Sequence, residues 1–167
     1  MLQPNGDAMK HKLMSKLLIA AFAVSAITTV HARDTPSNME SVVPEQLTAA
    51  RAAIATKDWP RAIAELNAAL KAEPRNADVH NLLGYSYRKQ ARPDLTKAFE
   101  HYNLALEIDP AHKGAHEYIG EAYLMDRKPA EAQKHLVELA RLCGNQTCEE
   151  YLDLARAIAA HQANPPR

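Results

Sequence analysis

Hydrophobic and small positions along this chain repeat in register. His80-Asn81-Leu82-Leu83-Gly84-Tyr85-Ser86-Tyr87 aligns with His116-Glu117-Tyr118-Ile119-Gly120-Glu121-Ala122-Tyr123 at an offset of 36. Downstream, Ala98-Phe99-Glu100-His101-Tyr102 corresponds to Ala132-Gln133-Lys134-His135-Leu136, and upstream Ala62 to Leu66, Ala69-Leu70 and Pro74 corresponds to Ala98 to Tyr102, Ala105-Leu106 and Pro110. A period of this length marks an array of small helical units that bury their apolar faces against one another. Three units are predicted, at about 43–76, 77–112 and 113–146, within a domain over 41–161. Pro74 and Pro110 fall between units, where a proline opens a helix but cannot continue one. Asn76 and Asp94 are placed to cap helices.

The first unit carries Ala49, Ala50 and Ala53 where the later units have Leu-Gly and Tyr. The second is two residues longer than usual, and Arg92-Pro93-Asp94 places the extra length in the turn between its helices. The third carries Leu139 at a usually small position. Beyond it, Thr147 followed by Glu150 reads as a capping box. Tyr151, Leu152, Leu154, Ala155 and Ile158 then form a stripe at helical spacing, so a capping helix is predicted over 148–161. Residues 33–40 and 162–167 read as flexible ends.

The N-terminus has a different pattern. Lys10, His11, Lys12 and Lys16 precede an uncharged run from Leu17 to Val30, and small or modest side chains at Val30-His31-Ala32 lead into Arg33-Asp34. At about 1.5 Å per residue the run is roughly 21 Å long, short of the ~30 Å hydrocarbon core of a bilayer. Basic, apolar, small, then polar is the order of a secretory signal peptide, predicted over 1–32 with cleavage after Ala32. The expected location of the mature chain is periplasmic or secreted, with no membrane span after cleavage.

Alanine, at 31 residues, dominates a composition with only 5 Gly and 5% aromatics. Alanine loses no side-chain entropy in a helix, so the class is all-α. The 20 basic and 20 acidic residues balance. Residues 1–32 hold three Lys and one Asp, so the remainder carries 17 basic and 19 acidic groups, about −2. Neutralising phosphates needs an excess of Lys and Arg, so no nucleic-acid partner is expected.

The quoted repeats resemble the tetratricopeptide repeat (TPR), whose signature is a large residue, Leu-Gly, Tyr, Ala, an aromatic and Pro over about 34 residues. With the Cys-Gly…Cys-Glu-Glu-Tyr ending, the chain is similar to small exported bacterial TPR proteins with a C-terminal capping helix. The resemblance covers roughly 43–146 and implies an α-solenoid of about three helix pairs. It assigns Gly84 and Gly120 to close approach within each pair, with Ala62, Ala98 and Ala132 opposite. It also implies that the first helix of each pair lines a concave groove, here Arg51, Asn81, Tyr85, Arg88, Lys89, Glu117, Glu121, Leu124 and Met125. Family members that clamp a peptide's terminal carboxylate do so with Lys, Arg and Asn. Glu117 and Glu121 would repel such a ligand, so a partner of mixed charge, or a helix laid in by its apolar face, fits better.

Candidate chemistry is sparse. There is no His-Glu-x-x-His, no phosphate-binding glycine loop and no nucleophile elbow. His112 and His116 have metal-ligand spacing. However, His80 and His116 share a repeat position, as do His101 and His135, which reads more simply as packing. Neither cofactor nor metal is expected. Cys143 and Cys148 flank Gly144-Asn145, suited to a tight turn between helices, and in an exported protein such a pair is read as a disulfide. The expectation is a non-catalytic module binding another protein or peptide of the cell envelope. The alternatives are a thiol redox protein or sensor using Cys143 and Cys148, and a structural subunit of an envelope complex. The oligomeric state is not fixed by the sequence.

Overall fold

The computed structural model describes residues 39–164. The signal peptide expected over 1–32 and its expected cleavage point lie outside the described residues, as do most of the 33–40 segment and the last three positions. The described residues form seven helices and no strand: α1 (Met39–Ala55), α2 (Trp59–Ala72), α3 (Ala77–Lys89), α4 (Leu95–Ile108), α5 (Lys113–Met125), α6 (Pro129–Cys143) and α7 (Glu149–Ala163). None is long and apolar enough to cross a membrane.

The helix starts follow from local chemistry. Asp58 Oδ1 accepts from Arg61 N at 3.2 Å, Asn76 Oδ1 from Val79 N at 3.1 Å and Asp94 Oδ1 from Lys97 N at 3.1 Å. Each satisfies one of the backbone donors that a helix leaves unpaired at its start. At α5 the cap is an imidazole: His112 Nδ1 accepts from Ala115 N at 3.1 Å, while Nε2 faces Asp78 Oδ1 at 3.1 Å. Three residues separate α1 from α2 and α5 from α6, and five separate α3 from α4. The two extra residues of the second unit therefore lie in its hairpin turn. The shorter turns hold Lys57 and Arg127 at φ 60° and 59°, a left-handed conformation that a Cβ disfavours.

Helices α1, α3 and α5 each pair with the next in a hairpin, and successive hairpins stack through α2 on α3, α4 on α5 and α3 on α5. The core runs along the stack in three clusters. Val43, Ala50, Leu66, Ala69, Val79 and Leu83 join the first pair to α3. Ala98, Tyr102, Ile119 and Ala122 join α4 to α5. Leu124, Ala132, Leu136, Leu139, Leu154 and Ile158 join the third pair to α7. The architecture is an all-α solenoid of helix pairs.

Two local expectations change. Gly84 behaves as a close-approach glycine within its hairpin, since a Cβ there would come within 2.5 Å of the Tyr102 ring on α4. At Gly120 the nearest atoms belong instead to Leu154 of α7, at 2.6 Å. The reason is that α7 lies across α5 even more extensively than across α6. The capping box also fails. Thr147 Oγ1 and N both donate to Asn145 Oδ1 at 2.9 Å. Cys148 takes the cap position without a side-chain bond to the helix, because the short turn spends the threonine hydroxyl locally.

Candidate functional site

The first helices of the pairs, with α7, form a trough. Its larger recess, of about 610 Å³, is bounded by Arg88 and Lys89 from α3, Glu121, Leu124 and Met125 from α5, and Ala157 and His161 from α7. Lys89 also borders a second recess of about 580 Å³, where Ile54, Lys57, Trp59 and Tyr85 contribute the other principal walls. Trp59 meets Tyr85 edge-on with ring centroids 6.2 Å apart.

The nine groove positions expected from the sequence separate into two groups. Lys89 and Met125 are open to solvent, Met125 by 44%, and Tyr85 and Glu121 are partly so. Asn81, Arg88, Glu117 and Leu124 are buried, each less than a tenth exposed. Arg51 is exposed but lies outside the linings of both recesses. Lys57, Trp59, Ala157 and His161 line the trough and are not among the expected nine. A lone Trp at the start of a helix was the available signal for Trp59. The α7 residues had none, because their place depends on which face of the third pair α7 covers.

Arg88 is the centre of the floor. It is 4% exposed. Its Nε donates to Tyr102 Oη at 3.2 Å, and Nη2 pairs with Glu121 Oε2 at 2.6 Å. Its guanidinium carbon lies 5.5 Å from the Tyr85 ring centroid and 5.7 Å from that of Tyr118. Burying a guanidinium is costly unless it is compensated; here the Glu121 carboxylate, the Tyr102 phenol and two ring faces surround it, although Nη2 makes no hydrogen bond of good geometry. The pair ties α3 to α5. It also removes Glu121 as a free negative charge on the trough.

Glu117 lies beside this network. Burial, then the like charges of Glu121, Asp153 and Glu150, push its carboxyl up to about 8, against a smaller opposing effect of Arg88. Burial, then Glu117, raises the Tyr118 hydroxyl to about 12. Burial likewise holds the Tyr102 hydroxyl far above its ordinary range. The acidic end expected from Glu117 and Glu121 is therefore largely neutralised. One carboxylate is paired and the other favours its protonated form. The open charges on the trough are those of Lys57 and Lys89.

At the far side of α6, Gly144 ends the helix in the left-handed conformation at φ 67°. Cys143 and Cys148 are joined across the turn with Cα atoms 6.1 Å apart. Glu150 lies within 4.8 Å of both sulfurs, the one grouping of three potential metal ligands among the described residues. With the sulfurs bonded to each other, it offers no thiolate.

This arrangement of stacked helix hairpins around a trough is a helical repeat scaffold. Residues 47–113 match the family model described as tetratricopeptide repeat, so that stretch carries the repeat. Among solved structures, the TPR domain of Arabidopsis OM64 superposes with a TM-score of 0.64 at 18% identity, over 74% of this chain and 98% of that one. The TPR2B domain of yeast Sti1, solved in a complex with a pHsp70 partner, gives 0.63 at 18% identity, over 72% and 98%. The Sgt2 TPR domain of Aspergillus fumigatus gives 0.61 at 22% identity, over 80% and 87%. At these identities the likeness establishes the fold. No curated protein matches the sequence.

Proposed function

We propose that this chain is a non-catalytic docking protein whose trough receives a peptide or a short helix of another protein. The observation that carries this reading is the trough wall itself. Exposed Met125 and the Trp59–Tyr85 pair adjoin open Lys57 and Lys89, while the one central acid, Glu121, is committed to Arg88. Apolar surface beside cations that no carboxylate neutralises favours a segment that combines apolar side chains with carboxylates. That differs from the mixed-charge partner expected from the sequence, because burial and pairing silence Glu117 and Glu121.

The basic, apolar, small order of residues 10–33 supports export, and an envelope partner would follow. Export predicts that the mature chain isolated from a cell envelope begins at Arg33, which mass spectrometry of the intact protein measures.

The docking reading is tested by selecting binders from a random peptide library. The selected peptides should titrate at least about tenfold more weakly, a loss of ~1.4 kcal/mol, against Lys89→Glu combined with Met125→Glu. They should bind Lys134→Glu, on the exposed side of α6, as they bind the parent. Both substituted residues are exposed, so the fold is preserved. Equal binding to all three proteins, or no enrichment of any peptide, would refute the reading.

A further inference from the structure

The repeat-equivalent histidines, left as packing residues by the sequence, make the same four-part arrangement twice. His80 Nδ1 on α3 lies 3.1 Å from His101 Nδ1 on α4, and His80 Nε2 lies 3.0 Å from the Pro74 carbonyl. One unit on, His116 Nδ1 on α5 lies 2.9 Å from His135 Nδ1 on α6, and His116 Nε2 lies 3.0 Å from the Pro110 carbonyl. Tyr87 stacks on His101 with centroids 5.6 Å apart, and Tyr123 on His135 at 5.7 Å.

These distances fix the protons. A carbonyl only accepts, so Nε2 of His80 and His116 must carry hydrogen. In a neutral ring Nδ1 is then bare and can only accept. His101 and His135 must therefore carry hydrogen on Nδ1 and donate it across the hairpin. One added proton enters each pair at Nε2 of the donor ring and leaves the bond in place. A second would set N–H against N–H and break it.

We propose that the two histidine pairs are proton-operated latches holding the α3–α4 and α5–α6 hairpins closed, each opening when both of its rings are charged. A metal ion is the other occupant that two close Nδ1 atoms suggest. However, neither pair belongs to a described grouping of three potential ligands, and zinc sites take three or four protein ligands.

The electrostatic surroundings oppose charging. Around the first pair stand Tyr87 from α3 and Lys97 and Glu100 from α4; burial, then His80, lowers His101, with Glu100 opposing. Around the second stand Tyr123 from α5 and Glu131, Lys134 and Glu138 from α6. Burial, then His116, takes His135 down to about 4, with Glu131 and Glu138 opposing. An unfolded histidine takes its proton near 6.5, above these folded values. The stability that depends on uncharged donor rings is thus complete above that pH and declines below it, for His135 as pH falls toward 4, while charging the second ring as well is what breaks the bond.

Two measurements on the full chain decide the matter. Long-range nitrogen–proton NMR of the imidazoles in the presence of a chelator should show His101 and His135 as Nδ1–H tautomers, and His80 and His116 as Nε2–H. Finding His101 and His135 as Nε2–H would overturn the proposal without any variant. The second measurement uses His101→Asn with His135→Asn, because an asparagine amide nitrogen occupies the Nδ1 position, still donates and takes no proton. Glu117 titrates over part of this range with opposite sign, so parent and variant are compared in a Glu117→Gln background. The fall in the urea midpoint between pH 6.5 and 4 should shrink by roughly half or more in the double variant. An unchanged fall would also overturn the proposal.

Discussion

At the scale of single residues, the two repeat glycines look interchangeable in sequence and differ in structure. A Cβ at Gly84 would strike the Tyr102 ring, which is fully buried and held at its hydroxyl by Arg88. A Cβ at Gly120 would strike the methyl groups of Leu154, the far end of a flexible side chain. Replacing glycine in a helix gains about 1 kcal/mol of propensity in either case. Overpacking costs about 1–3 kcal/mol, so Gly84→Ala should be net destabilising and Gly120→Ala close to neutral. Urea unfolding of the two variants measures this, and the reverse order would contradict the packing described. Glu117 provides a second residue-scale expectation. Its folded-state value of about 8 exceeds its ordinary value of 4.5. Ionising it therefore costs stability, with nothing lost below the ordinary value, increasing loss through the interval and a constant loss above 8. Glu117→Gln should stabilise the protein by about 2 kcal/mol at pH 8.5, after allowing for solvent screening, and by little at pH 4. A pH-independent effect would mean that Glu117 ionises normally.

At the scale of elements, α7 depends on tertiary support. Its first turn has no side-chain cap, and it is held by Leu154 and Ile158 against α5 and α6 and by the Cys143–Cys148 bond. Closing so short a loop stabilises by about 2 kcal/mol on the chain-entropy model. Cys143→Ser with Cys148→Ser should lower stability by that amount and speed amide exchange in α7 more than in α3. Uniform acceleration would show that α7 does not open separately. The elements were legible in sequence where short-range chemistry decides them. Asn76 and Asp94 cap the helices they were assigned to, and the extra turn lies at Arg92-Pro93-Asp94. Thr147 failed because Asn145, two residues away, competes for its hydroxyl, a contest that the capping pattern does not register.

At the scale of the whole molecule, the trough combines side chains from α3, α5 and α7 with the neighbourhood of Trp59, and the docking proposal stands or falls on whether that trough selects peptides. Charge illustrates why it could not be read along the chain. Arg88 and Glu121 are 33 positions apart, and as a list of residues they make one basic and one acidic site. In space they cancel, leaving Lys57 and Lys89 as the open charges. The sequence by itself determined the all-α class and the stack of helix pairs, because a small-residue and apolar pattern repeating every 36 positions can bury itself in few other ways. Only the tertiary structure decided that α7 lies across α5, that Arg88 and Glu117 sink into the floor while Met125 stays open, and that the paired histidines face each other. Those outcomes depend on which surfaces compete for burial once the hairpins stack, and no spacing along one chain encodes that competition.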